Sequence, residues 1–309
     1  MARLRALRAW IARGRTAVIG LPYAWLLVFF LLPFLIILKL SVSQMEEVTF
    51  KDLVTFQDGL LALSIKLSNY VFITEDDLYV LTYLTSLKYA AATTLWCLAI
   101  GYPFAYFMAR ARPRAQPALL MLVMLPFWTS FLLRVYAWKG LLTEHGWVSD
   151  LLIALRVDHL LLAAGLIAAP GQFMNTPFSL VLGMVYTYLP FMVLPLYGTL
   201  AKLDLRLLEA ADLGATPWVA FWRVTVPLSK AGIIAGAMLV FIPCIGEFVI
   251  PELLGGPSTL MIGRVLWDEF FSNNDWPMAS TVAVVMVLLI LVPLAIFNRY
   301  QAQAQEQRK

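Results

Sequence analysis

Charged residues are scarce in this sequence. They make up 14% of its 309 residues, against roughly 25% in an ordinary soluble domain. Apolar residues reach 61%, and the mean hydropathy is +0.79. This balance excludes a soluble enzyme, a disordered chain and a fibrous repeat, and indicates an all-α polytopic membrane protein. Cysteine and histidine are nearly missing too, with two of each. A disulfide framework and a His/Cys zinc site are therefore not expected. Cys97 and Cys244 fall inside apolar runs, where a thiol packs as a small hydrophobe. No G-x-x-x-x-G-K-[ST] occurs, so the chain has no P-loop of its own. Neither a cofactor nor a nucleic-acid partner is expected.

Long apolar runs are present instead. A helical span needs about 20 apolar residues, and six runs qualify: Ala17–Leu40, Thr82–Ala109, Pro117–Ala137, Ser179–Ala201, Ala231–Pro251 and Met278–Asn298. A seventh stretch, Leu160–Ala169, is too short to cross and reads as an interfacial or re-entrant piece. The first run exceeds a signal-peptide core and no small-x-small cleavage site follows, so it is expected to stay as an anchor. Basic residues are distributed unevenly. Arg3, Arg5, Arg8, Arg13, Arg15, Arg110, Arg112, Arg114, Lys202, Arg206, Arg223, Lys230, Arg299, Arg308 and Lys309 share one side of a six-span arrangement. Only Lys51, Lys66, Lys139, Arg156 and Arg264 occupy the opposite loops. By the positive-inside rule both termini are expected in the cytoplasm. The expected organisation is a basic N-terminus over 1–16, one membrane domain over 17–300, and a cytoplasmic tail over 301–309.

Two loops carry information. The outer loop 41–81 has a net charge of −5, from Glu46, Glu47, Asp52, Asp58, Glu75, Asp76 and Asp77 against Lys51 and Lys66. An acidic vestibule or docking surface and a simple consequence of positive-inside asymmetry both explain it. The inner loop 202–230 reads as two short helices. Asp204 is a candidate N-cap, Gly214 suits a left-handed C′ position, and Thr216-Pro217 starts the second helix. Trp218, Phe221 and Trp222 supply an aromatic face, and Pro227 ends the element. Such a face fits a groove on a partner protein or the membrane surface; periodicity does not choose between them.

Here a resemblance enters. Glu209-Ala210-Ala211, Gly214 and Val224-Thr225-Val226-Pro227 resemble the EAA signature of binding-protein-dependent ABC importer permeases, written E-A-A, three residues, G, nine residues, I-x-L-P. Only Asp212 and Leu213 separate Ala211 from Gly214, one residue short, which displaces Glu209 by about 100° around a helix. The runs Leu125–Trp138, Gly183–Pro195 and Phe241–Gly256 resemble the polyamine branch, and the last of them the putrescine permeases. The resemblance implies a type I importer permease fold. It implies coupling to an ATPase through Glu209, Ala210, Ala211, Asp212, Gly214, Trp218 and Pro227. It also implies a second permease as heterodimer partner, two ATPase subunits, a periplasmic solute-binding protein and a polyamine substrate.

A dication crossing lipid needs acceptors and negative charge along its path. Glu247 is the one acid deep in an apolar run, flanked by Gly246, Pro243 and Pro251, and an intramembrane acid is a functional candidate. It either faces the solute path or pairs structurally with Arg134 or Lys88. Trp128, Tyr136, Tyr186 and Tyr188 are candidates to contact a cation through rings or hydroxyls. Gly101, Gly183, Gly232 and Gly236 are expected at close helix contacts. A stand-alone secondary transporter is the main alternative, but no internal repeat supports it.

Overall fold

The computed structural model describes residues 14, 18–43, 45–46, 49–50, 54–57, 60–63, 66–204, 206, 214 and 216–306. Side chains of 44–65, 297 and 300–306 are outside that description. The basic cluster Arg3–Arg15, the loop acids Glu47, Asp52 and Asp58, the EAA residues Glu209, Ala210, Ala211 and Asp212, and the tail residues Arg308 and Lys309 lie outside the described residues. The chain divides into two compact units, 1–75 with 269–287, and 76–268 with 288–309.

In the first unit, α1 (Val18–Ser41) is a 24-residue apolar helix with no buried residue in its most apolar stretch. At its end, the Ser41 hydroxyl shares a 2.7 Å hydrogen bond with Tyr70 on α2 (Ser68–Glu75). The Thr281 hydroxyl donates to Ser41 O at 3.1 Å. Between α1 and α2 lie two antiparallel strand pairs, β1 (Met45–Glu46) with β2 (Thr49–Phe50), and β3 (Val54–Gln57) with β4 (Leu60–Leu63). The loop with the acidic excess thus contains hairpins in an otherwise helical chain.

The second unit is built on three helices: α3 (Asp77–Arg110), α8 (Pro177–Leu200) and α10 (Lys230–Ile245), which pack on one another. The expected glycines sit at their contacts. A Cβ at Gly232 would lie 2.6 Å from Thr199 Oγ1, and one at Gly236 2.7 Å from the Met192 sulfur. At Gly101 it would lie 3.2 Å from Met192, and at Gly183 it would lie 2.5 Å from Leu254. The two glycines spaced four apart let the α10 backbone press against α8, as small-xxx-small faces do in membranes. Cys97 and Cys244 are fully buried and unpaired, as small packing residues. Two caps define the helix starts. Asp76 accepts from Leu78 N at 2.8 Å, and Thr176 with Ser179 forms a reciprocal box ahead of Pro177.

Four helices, α1, α3, α8 and the last helix Trp276–Glu306 over Trp276–Ile296, are individually long and apolar enough to cross a membrane. Among the described residues the number reaches six when each of two bent pairs, 116–141 and 217–245, is counted as one span. The third run is corrected here. It is not one rod but α4 (Gln116–Trp128) and α5 (Phe131–Leu141), meeting at 87°. Pro126 removes a helical N–H and crowds the preceding turn, and Thr129 and Ser130 turn extended (ψ 153° and 136°). The fifth run is corrected as well. α10 stops at Ile245, two residues after Pro243, and a separate short helix, α11 (Val249–Leu254), follows. Leu160–Ala169 belongs to a small cap. The short helices α6 (Trp147–Ala154) and α7 (Val157–Ala163) enclose a core of Leu142, Ile167 and Phe173. Gly165 and Gly171 make the turns there at φ 68° and 77°, where a side chain would be strained.

Candidate functional site

The break after α10 brings polar groups into the apolar bundle. A helix ending there frees N–H and C=O groups that lipid cannot satisfy. The Glu247 carboxylate answers part of that need. Its Oε1 accepts from Val249 N at 3.1 Å and Ile250 N at 3.5 Å, capping the first turn of α11. A carboxylate at a helix N-terminus is also favoured by the local dipole. Its Oε2 accepts a hydrogen bond from the Tyr188 hydroxyl of α8. Glu247 is 9% exposed and Tyr188 8%. The next helix, α12 (Ile262–Trp267), crosses directly behind the break. A Cβ on Gly263 would lie 2.7 Å from Glu247 O, so only glycine fits there. Ser86 and Ser179 close two further backbone gaps. Ser86 accepts from Ile262 N at 2.8 Å, and Ser179 donates to Leu254 O at 2.7 Å.

Glu247 pairs with neither Arg134 nor Lys88, which removes that structural reading. The Arg134 guanidinium lies over Phe127 (5.6 Å) and Phe131 (6.0 Å), with Nε and Nη1 buried and unbonded. Lys88 lies 5.5 Å from the Tyr89 ring. Between Arg134 and Glu247 runs a chain of rings: Phe127 meets Phe191 edge-on at 5.2 Å, and Phe191 meets Tyr188 at 6.2 Å. The bundle therefore holds a buried carboxylate with three neutral donors and, among the described residues, no cationic partner.

The other candidates are dispersed. Tyr186 turns to α5 and packs edge-on against Trp138 at 5.4 Å. Trp128 on α4 and Tyr136 on α5 are exposed, at 75% and 54%. Of the five solute-path candidates, only Tyr188 and Glu247 are joined by a described hydrogen bond. Glu252 is exposed and shares Arg264 with Asp268 in a partly exposed ion cluster. The Arg264–Asp268 half is a local pair four residues apart, whereas Glu252 comes from a separate helix.

The inner loop differs from expectation in one respect. The helix α9 (Pro217–Leu228) starts as predicted, with Thr216 Oγ1 accepting from Val219 N at 3.4 Å and Pro217 at its first position, and Pro227 is its second-last residue. Its three rings stay in contact, Phe221 with Trp218 at 6.1 Å and with Trp222 at 5.3 Å, but only one of them packs on the bundle. Phe221 turns to α3 and meets Tyr102 and Tyr106 edge-on at 5.5 and 6.0 Å. Trp218 and Trp222, one turn apart, remain 70% and 53% exposed and touch each other at 5.8 Å. The left-handed φ expected of Gly214 depends on Leu213, outside the described residues, and a Cβ at Gly214 would meet no described atom within 4 Å. A joint that sequence reading missed lies at the α9–α10 bend of 65°, where Tyr102 shares a buried 2.8 Å hydrogen bond with Ser229. Asp204 does accept from Arg206 N at 3.0 Å.

Comparison with known proteins agrees with this architecture. Residues 98–306 match the family described as "Binding-protein-dependent transport system inner membrane component". The spermidine/putrescine transport system permease protein PotB of Haemophilus influenzae is 38% identical over 292 residues, 94% of each chain. Its Escherichia coli counterpart is 39% identical over 273 residues, 87% of this chain and 92% of that one. Among solved structures, a bacterial alginate ABC transporter in complex with an alginate-bound periplasmic protein aligns at TM-score 0.62 and 14% identity. That alignment covers 96% of this chain and 98% of the other, and at that identity it speaks for the fold alone. The chain is a multi-pass member of the binding-protein-dependent transport system inner membrane component family.

Proposed function

We propose that this permease is the translocation subunit of an ATP-driven polyamine importer, with putrescine as a substrate and Glu247 as a station for its ammonium groups. The observation that carries the reading is the buried Glu247 carboxylate, which has hydrogen-bond donors but, among the described residues, no counter-cation. A protonated diamine supplies the missing charge. The near full-length similarity to permeases named for spermidine and putrescine transport supports the substrate class. Trp128, Tyr136 and Tyr186 contribute ring faces or hydroxyls along the path.

In this reading both termini are cytoplasmic, and the 202–230 segment is the ATPase-coupling element. Its Trp218–Trp222 ridge inserts into the ATPase, with Glu209, Ala210, Ala211, Asp212, Gly214 and Pro227 shaping the contact. A second permease, two ATPase subunits and a periplasmic binding protein complete the assembly. This chain hydrolyses nothing itself.

The test is ATP-dependent uptake of labelled putrescine by vesicles holding the full assembly, compared with vesicles lacking this chain. Uptake that needs this chain and is competed by polyamines alone supports the reading. ATP-coupled assembly without polyamine uptake rejects the substrate, and uptake by this chain without ATPase rejects the importer mechanism.

A further inference from the structure

The end of α3 leaves carbonyls that its own backbone does not satisfy. The last four C=O groups of a helix lack intrahelical donors. The donor four residues beyond Ala109 would be Pro113, which has no N–H. Gln116, the first residue of α4, fills the gap from across the turn. Its Nε2 donates to Ala109 O at 3.4 Å and to Ala111 O at 3.1 Å. Its Oε1 accepts from the Tyr197 hydroxyl of α8 at 2.9 Å. One side chain therefore joins α3, α4 and α8. The task needs a primary amide, which carries two donors and an acceptor on one group. Glutamate has no donor to offer, and leucine has neither.

The same end of α3 is the seat of α9. Tyr102, Tyr106 and Arg110 are spaced by four and share one face of the helix. Phe221 of α9 meets both tyrosine rings edge-on, and the Arg110 guanidinium lies 5.4 Å from the Tyr106 ring. Tyr102 also holds Ser229 at the bend into α10. From Tyr102 to Arg110 the seat covers about 12 Å of helix, and Ala109, whose carbonyl Gln116 takes, lies within that length.

We infer that Gln116 is a positioning residue for transport. It ties the seat of α9 to α8, so that a displacement of α9 moves the bundle instead of bending the end of α3. This rests on the reading of 202–230 as the ATPase-coupling element. Apolar burial between helices is non-directional and tolerates sliding. The Tyr197–Gln116 bond is directional and fixes one register. Tyr188, whose hydroxyl holds Glu247, precedes Tyr197 by nine residues on α8, about 13.5 Å along the axis. The tie thus links the seat of α9 to the helix that contacts the ammonium station.

The experiment reconstitutes the full assembly in vesicles and measures uptake of labelled putrescine together with ATP hydrolysis. The quantity read is solute imported per ATP. Tyr197→Phe removes the tie but leaves both Gln116 donors on the α3 carbonyls. It is expected to lower the ratio about two- to tenfold, the factor carried by one hydrogen bond. Gln116→Leu and Gln116→Glu lower it at least as far. A fall in uptake and hydrolysis in proportion, leaving the ratio native in these variants, overturns the assignment and makes Gln116 a helix cap only. A native ratio in Tyr197→Phe overturns it too, even where Gln116→Leu fails to assemble. Trp218→Ala combined with Trp222→Ala tests the underlying reading by itself. A native ratio there removes the coupling role of 202–230, and the role of Gln116 with it. A lowered ratio there beside a native one in Tyr197→Phe removes the role of Gln116 alone.

Discussion

Replacing Glu247 with glutamine separates a charged station from a scaffold. The side chain accepts three hydrogen bonds, two from backbone N–H groups of α11 and one from Tyr188. Glutamine keeps one carbonyl oxygen, which can still cap α11, but its amide cannot accept from Tyr188. The scaffold loses one charge-assisted bond, worth about 1.5–3 kcal/mol. The loss to transport is of the same order, because an ammonium facing neutral glutamine also forgoes one such bond. At 1.4 kcal/mol per factor of ten, the maximal rate of putrescine uptake is expected to fall about ten- to a hundredfold.

Tyr188→Phe is the control. It removes the phenol's hydrogen bond at similar cost to stability but keeps the carboxylate and its cap on α11. Thermal unfolding of the purified complex should therefore drop in both variants, while uptake should collapse only in Glu247→Gln. Equal uptake defects in the two would show that Glu247 acts through the fold. Uptake by assembled Glu247→Gln within twofold of the native rate would refute the station outright.

Other perturbations follow from the packing. Gly236→Ala sets a methyl 2.7 Å from the Met192 sulfur and 3.0 Å from Met192 O. Met192 is fully buried and cannot swing aside, so overpacking should cost about 1–3 kcal/mol in chemical or thermal unfolding. Gly214→Val meets no atom of the described residues within 4 Å. Stability should be unchanged, and any loss of ATP-dependent uptake would locate a partner surface; full activity would remove Gly214 from the coupling contact. Tyr102→Phe breaks the buried bond to Ser229 at the α9–α10 joint, with an expected cost of about 0.5–1.5 kcal/mol and weaker stimulation of the ATPase by solute. Arg264→Met should cost below about 1 kcal/mol, since its partners Glu252 and Asp268 are 45% and 40% exposed; a larger drop in unfolding temperature would show a closed ion cluster.

Much of the membrane plan was legible in the residues. Apolar runs of span length are a local property of the chain, so α1, α3, α8 and the last span emerge close to their predicted limits. Small residues four apart marked the α8–α10 contact correctly, because only a missing side chain permits such an approach. Thr216-Pro217 announced the start of α9 because capping is settled within four residues. Other features were not legible. Pro126 lies in the third run, but whether a proline is absorbed or turns the chain by 87° depends on which neighbours satisfy the freed backbone groups. Which ring of the α9 aromatic cluster packs inward was undecided for a similar reason. Phe221 found Tyr102 and Tyr106 on α3, about 115 positions earlier in the sequence.

For Glu247, the sequence by itself determined that one acid stands in an apolar run beside a glycine and between two prolines, and hence that it needs partners. Which partners it takes was decided only by tertiary structure. Arg134 and Lys88 are compatible in charge and in span position, and no periodicity excludes them. Folding instead placed Arg134 over Phe127 and Phe131, and Lys88 at a separate groove. It brought Tyr188 of α8 against the broken end of α10. A hydrogen bond between residues 59 positions apart depends on how two helices rotate and cross, and that is set by the packing of all three bundle helices together.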